Sequence, residues 1–250
     1  MNGKKVLLVT GGSRGIGAAI ARLAAESGYC VAFSYVSDEQ AAEAVAADIK
    51  ARGCEALAMR GDVGNEEDVL ALFQAVDYKF GRLDALVNNA GVVDRKSRVE
   101  DMSLDRITRM MRINVIGSIL CAREAVKRMS TRNGGRGGAI VNLSSIAAVL
   151  GAAGEYVDYA ASKGAIDSFT VGLAREVAEE GIRVNAVRPG VTDTDIHASG
   201  GQPDRVRQFA PFIPMKRPAT AEEIARAVMF LLSDAASYAT GAILDVTGGR

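Results

Sequence analysis

Seven short apolar runs of strand-forming residues, at 6–9, 30–35, 56–59, 85–87, 139–143, 182–187 and 242–246, are the feature that most restricts the fold of this chain. Between most of them lie longer stretches with apolar residues at helical spacing, among them 18–26, 38–50, 66–80, 104–129 and 157–179. Strand and helix therefore alternate. The runs are apolar at successive positions, as strands buried on both faces must be, and the segments between them are long enough to cross back over a sheet. The pattern predicts a doubly wound α/β fold, a seven-stranded parallel sheet with helices on both faces.

No internal repeat, charge block or low-complexity linker divides the chain, and 250 residues with 48% hydrophobic content suit a single domain over 1–250. All five prolines fall between Pro189 and Pro218, together with Gly190, Gly200 and Gly201. Residues 191–218 are therefore the largest irregular excursion, and a substrate lid is expected there. Thirty basic and thirty acidic residues cancel, which gives no electrostatic footprint for nucleic acid or an anionic membrane and favours a small-molecule partner. Cys30, Cys54 and Cys121 are an odd number without C-x-x-C spacing; they suggest neither a disulfide framework nor a zinc site and read as buried small hydrophobes. The first residues lack a signal-peptide core and no run approaches about 18 apolar residues, so a soluble cytoplasmic protein is expected.

The first strand leads into VTGGSRGIG, residues 9–17. At a strand-to-helix turn the backbone amides and the helix dipole favour a phosphate, and glycines let it approach closely. The spacing of Gly11, Gly15 and Gly17 departs from G-x-G-x-x-G, and a turn of this kind also serves simply to pack helix on strand. The second strand discriminates between nicotinamide cofactors, because NAD-binding versions place an acid near its end. Here it ends Ser34-Tyr35-Val36-Ser37, with no acid before Asp38. Arg14 can offer charge-assisted hydrogen bonds to a 2′-phosphate, and Ser34, Tyr35 and Ser37 add hydroxyls. NADP is the expected cofactor.

Tyr159 and Lys163, in VDYAASKGA, lie four residues apart and so on one face of a helix. A neighbouring ammonium would favour phenolate, which makes the pair an acid/base candidate; a Tyr/Lys pair on a solvated helix face is the alternative. IVNLSS, residues 140–145, ends a strand in Ser144 and Ser145, where a hydroxyl can orient a carbonyl oxygen or simply close a turn.

Taken in order, Thr10-Gly11-Gly12-Ser13-Arg14-Gly15-Ile16-Gly17, Asp62-Val63, Asn88-Asn89-Ala90-Gly91, Asn114, Ser144-Ser145, Tyr159 to Lys163, and Arg188-Pro189-Gly190 with Thr194 resemble the short-chain dehydrogenase/reductase family over essentially the whole chain. The likeness extends to its 3-oxoacyl carrier-protein reductases and glucose dehydrogenase-like members. It implies a Rossmann-type domain that moves hydride between NADP(H) and a carbonyl or alcohol substrate. By resemblance, Tyr159 is the general acid or base, Lys163 lowers its pKa and holds the nicotinamide ribose, Ser145 binds the substrate oxygen, and Asn114 holds a water in a proton relay. The cofactor contacts it implies are Gly11, Ser13, Arg14, Gly15, Ile16 and Gly17, with Ser34 and Tyr35; Asp62 and Val63 at the adenine; Asn88, Ala90 and Gly91 beside the adenosine ribose; and Pro189, Gly190 and Thr194 near the nicotinamide. Turn chemistry also accounts for the asparagines at 88 and 89, and a helix irregularity for Asn114.

One departure stands out: the serine lies one residue further from Tyr159 than in many relatives, which implies an extra residue in the loop 146–158. No metal is expected; the single histidine, His197, lies near Asp193 and Asp195 in the lid region. The resemblance also implies a homotetramer. Three alternatives are weighed: a serine hydrolase, disfavoured because 144–145 is not in G-x-S-x-G; an NAD-linked sugar or alcohol dehydrogenase; and a non-catalytic NADP sensor, which would be expected to lack Tyr159 or Lys163.

Overall fold

The first strand, β1 (Val6–Val9), contains only valine and leucine, and its side chains are shared between two cores: Leu7 and Val9 face one, Val6 and Leu8 the other. In the computed structural model, which describes residues 3–250 apart from the side chain of His197, this two-sided burial is the rule for the sheet centre. The chain continues through α1 (Gly15–Glu26), β2 (Cys30–Tyr35), α2 (Glu39–Ala51), β3 (Ala56–Arg60), α3 (Glu66–Phe80) and β4 (Ala85–Asn88). It then forms α4 (Leu104–Met111), a π-turn (Arg112–Ile116), α5 (Gly117–Met129), β5 (Gly138–Leu143), α6 (Ala147–Leu150) and α7 (Val157–Val177). The last elements are β6 (Ile182–Pro189), α8 (Ile196–Ser199), α9 (Arg205–Phe209), α10 (Ala221–Leu232) and β7 (Ile243–Val246).

All seven strands pair in parallel in the order β3-β2-β1-β4-β5-β6-β7. Helices α1, α2 and α10 cover one face with an alanine-rich core, and α3, α5 and α7 cover the other. The winding reverses between β1 and β4, and the loops after these strands diverge there to leave a crevice at the carboxyl edge. The three cysteines are buried and unpaired. No helix among the described residues is long and apolar enough to cross a membrane.

The expected helix over 104–129 is interrupted. Backbone dihedrals are helical at both junctions, Met111–Arg112 and Ile116–Gly117, but five residues are wound as a π-turn centred on Asn114. Two contacts explain why the interruption sits here. The Asn114 side chain is tied to both backbone groups of Val92, and Gly117 lies so close to Val63 that a Cβ would come within 2.8 Å of it. Residues 191–218 are also more ordered than a bare loop, carrying α8, α9 and a 3₁₀ turn over Ala210–Phe212.

Candidate active site

The crevice begins at the glycine turn. Gly11 and Gly15 take φ of +66° and +53°, and a Cβ on Gly17 would stand 2.2 Å from the Gly11 carbonyl oxygen, so only glycine lets α1 start this close to β1. Side chains cap the amino ends of α2, α3, α4 and α10, whereas α1 opens on Arg14 with none. Its first-turn amides are left facing a hollow of 490 Å³ lined by Gly11, Ser13, Arg14, Gly15, Ile16 and Gly17. Arg14 is exposed, and its side chain has neither a hydrogen bond nor an ion pair among the described residues. Uncapped amides, a glycine-rich cradle and an unpaired guanidinium fit a phosphorylated ligand.

Tyr35, Asp62, Val63, Ala90 and Gly91 line the same hollow. The first carboxylate after β2, Asp38, caps α2 by accepting from the Ala41 N–H at 2.9 Å. Ser34 reaches the rim but is buried, and its Oγ accepts from the Gly11 N–H at 3.1 Å, so here it shapes the loop. Asn88 does not join the crevice: its amide donates to the Ser118 carbonyl and to Asn142 within the sheet layer. Its neighbour Asn89 takes the place facing the turn, donating to the Thr10 and Gly11 carbonyls at 2.9 Å each, while Thr10 Oγ1 accepts from the Asn89 and Ala90 N–H groups. Sequence order placed both asparagines at this wall and did not reveal which of the two turns outward at the strand end.

Next to this hollow, and sharing Ile16, Asn89, Gly91 and Thr194 with it, is a cavity of 370 Å³ at the carboxyl ends of β5 and β6. Ser145, Tyr159, Lys163, Pro189 and Gly190 line it. Tyr159 lies in the first turn of α7, which is pinned in place by the neighbouring Asp158, held by the Arg106 fork at 2.8 and 3.2 Å. One turn on, Lys163 is buried, its Nζ donating to the Leu143 carbonyl at 2.7 Å. Ser144 binds α7 to the sheet by donating to the Lys163 carbonyl, leaving Ser145 to face the cavity. Ser145 Oγ accepts from the Ala147 N–H at 3.1 Å, so it closes a turn while lining the cavity with Tyr159. Asn114 and Lys163 meet across Gly91, where a Cβ would stand 3.4 Å from Asn114 Oδ1 and 3.6 Å from Lys163 Nζ. Asn114 is thus both the helix irregularity and a neighbour of the buried lysine.

Burial pushes the Tyr159 phenol above the ordinary tyrosine range; the Ser145 hydroxyl pulls it down, Tyr156 adds to the rise and the Arg205 charge opposes it. Burial also pulls Lys163 down to about 8, opposed by Asp167. The Lys163 ammonium lies 5.7 Å from the Tyr159 ring centroid and is directed at the Leu143 carbonyl. The far wall was legible only as a list of loop residues. In the structure Glu155, Tyr156, Arg205, Phe209 and Arg250 converge there from three separate segments.

The chain from residue 11 to residue 250 matches the family model described as Enoyl-(Acyl carrier protein) reductase. It is 53% identical over 245 residues to a protein named uncharacterized oxidoreductase YgfF of Escherichia coli (strain K12), covering 98% of this chain and 99% of that one. It is 41% identical to cis-4-hydroxycyclohexanecarboxylate dehydrogenase of Sinomonas cyclohexanicum, covering 98% and 96% of the two chains. Among solved structures, a short chain dehydrogenase from Burkholderia cenocepacia J2315 in complex with NADP superposes with a TM-score of 0.90 at 35% identity, over 98% of this chain and 97% of that one.

Proposed function

The chain belongs to the short-chain dehydrogenase/reductase family of oxidoreductases, and from that premise we propose that it interconverts a carbonyl and a secondary alcohol with NADP(H), using Ser145, Tyr159 and Lys163. The observation that carries this reading is the convergence of Ser145 and Tyr159 on one cavity wall, with Lys163 one turn below and an uncapped, glycine-lined helix end next door. NADP is the cofactor. A structural neighbour holds it, Arg14 stands unpaired at the cradle, and the nearest acid, Asp38, is committed to its helix cap.

In this mechanism the glycine turn, Ser13 and the first amides of α1 hold the diphosphate, and Arg14 with Tyr35 reads the 2′-phosphate. Asp62 and Val63 border the adenine, Ala90 and Gly91 the adenosine ribose, and Pro189, Gly190 and Thr194 the nicotinamide end. When bound, the cofactor supplies or takes the hydride. Ser145 donates a hydrogen bond to the substrate oxygen and Tyr159 transfers a proton to or from it. Lys163 holds ribose hydroxyls and passes the proton toward Asn114. Relatives named for a cyclic hydroxy acid and for an oxidoreductase are consistent with a secondary alcohol as substrate. Residues 191–218 act as the lid of this single-domain enzyme, since Thr194, Ile196, Arg205 and Phe209 wall the cavity.

A paired fluorescence titration with NADPH and NADH tests the reading. Wild type should prefer NADPH, and Arg14→Ala should weaken NADPH binding about tenfold or more while leaving NADH nearly unchanged, the loss of a charge-assisted phosphate contact. Equal binding of both cofactors by wild type would instead favour an NAD-linked dehydrogenase.

A further inference from the structure

We infer that the site selects substrates bearing a carboxylate, received by the guanidinium of Arg205 in the cavity wall beside Tyr156; this rests on the oxidoreductase reading above.

The cavity is mostly apolar, and apart from Lys163 its charged lining consists of Glu155, Arg205 and Arg250. Glu155 is already shared between two cations, Lys96 at 2.8 Å and Arg205 at 2.7 Å. With Arg250 included, this wall holds more positive than negative side-chain charge. Arg205 is the built feature. Its side chain is 12% exposed, and its guanidinium carbon stacks 5.1 Å from the Tyr156 ring centroid and 4.4 Å from that of Phe209. Such stacking fixes the plane of the fork and aims its N–H groups edgewise. Of five donors, one meets Glu155 Oε2 and one meets Gln202 Oε1 at 3.1 Å. Among the described residues no other acceptor meets the group, and none of its nitrogens is a sealed, unpartnered atom. Donors therefore remain open on the cavity.

The reach is short. The Tyr156 ring, 5.1 Å from the cation, stands edge-on to the Tyr159 ring at 6.4 Å between centroids. A compact substrate can place its oxygen at Tyr159 and its anionic group at Arg205. A planar carboxylate matches the planar fork of Arg205, whose orientation the Tyr156 and Phe209 rings fix. Glu155 competes for the same fork.

The test compares calorimetric binding of benzoate and benzamide, unreactive probes of matched shape, to the NADP-saturated protein, alongside NADPH oxidation with 4-oxopentanoate and its amide. Wild type should bind benzoate about tenfold or more tighter than benzamide. Arg205→Gln should abolish that preference with NADPH binding retained, Arg205→Lys should keep part of it, and Glu155→Gln should tighten benzoate. Benzoate binding no better than benzamide, or a preference that survives Arg205→Gln, overturns the inference. If Arg205→Gln fails to fold, Arg205→Lys and Glu155→Gln decide: a benzoate preference unchanged in the first and weakened in the second assigns Arg205 a structural role only. Selective benzoate binding without oxidation of NADPH by 4-oxopentanoate supports the anion site and counts against the carbonyl-reduction mechanism proposed above.

Discussion

At the scale of single residues, the chemistry turns on two groups whose proton affinities are driven apart by burial. Desolvation disfavours the charged form of each, so the Tyr159 phenol rises and the Lys163 ammonium falls to about 8. The folded lysine thus binds its proton less tightly than an unfolded one near 10.4. The unfolded chain therefore holds more protons between these values, and this residue's contribution to stability rises as pH climbs from about 8 toward 10. For catalysis the same titration should appear as a fall in kcat/KM for carbonyl reduction above about pH 8, as the positive charge beside the proton path is lost. Lys163→Arg, whose charge persists, should be slower but lack that alkaline fall. Tyr159→Phe removes only the proton donor; turnover should drop by about 10²–10⁴ with NADPH affinity unchanged in a fluorescence titration. Local spacing made Tyr159, Lys163 and the glycine turn legible as candidates, and the family resemblance of the whole motif series singled out their roles. The placements of Arg205 in the cavity wall and of Asn89 against the turn were not legible, since each is set by partners brought close by the fold.

At the scale of elements, most strand and helix positions followed from apolar periodicity, and residues 66–80 form α3 with the expected bounds. Periodicity does not register how a helix is wound, so the π-turn at Asn114 was invisible; it is set by Val92 and Val63, which lie on other segments. The carboxyl end of α10 illustrates the same dependence. Arg183, on β6, donates to the carbonyls of Leu231, Leu232 and Ser233 at the end of that helix and to Ala239 beyond it. A cation there answers the negative end of the helix dipole and satisfies carbonyls that the helix leaves open. Arg183→Met should destabilise the protein by about 2–3 kcal/mol, visible as a lower urea midpoint, with cofactor binding intact in the folded fraction.

At the scale of the whole molecule, Leu104, Ile107, Ile116 and Ile119 leave apolar side chains exposed along α4, the π-turn and α5. We propose that a second copy covers this face within a homotetramer. Sedimentation should give the mass of four chains, and Ile116→Lys combined with Ile119→Lys should shift the protein to smaller species; monomer alone at micromolar concentration would sink the proposal. By itself the sequence determined the parallel doubly wound sheet, the glycine turn after the first strand, and the serine, tyrosine and lysine that line the cavity. These are written in hydrophobic period and short spacings, which act between neighbours along the chain. Only the tertiary structure decided which asparagine faces the crevice, which way the Lys163 ammonium is directed, and that Glu155, Tyr156, Arg205 and Arg250 share one wall. The physical reason is that burial and electrostatic pairing depend on distance through space, and residues far apart in sequence acquire that distance only when the sheet and its loops are assembled.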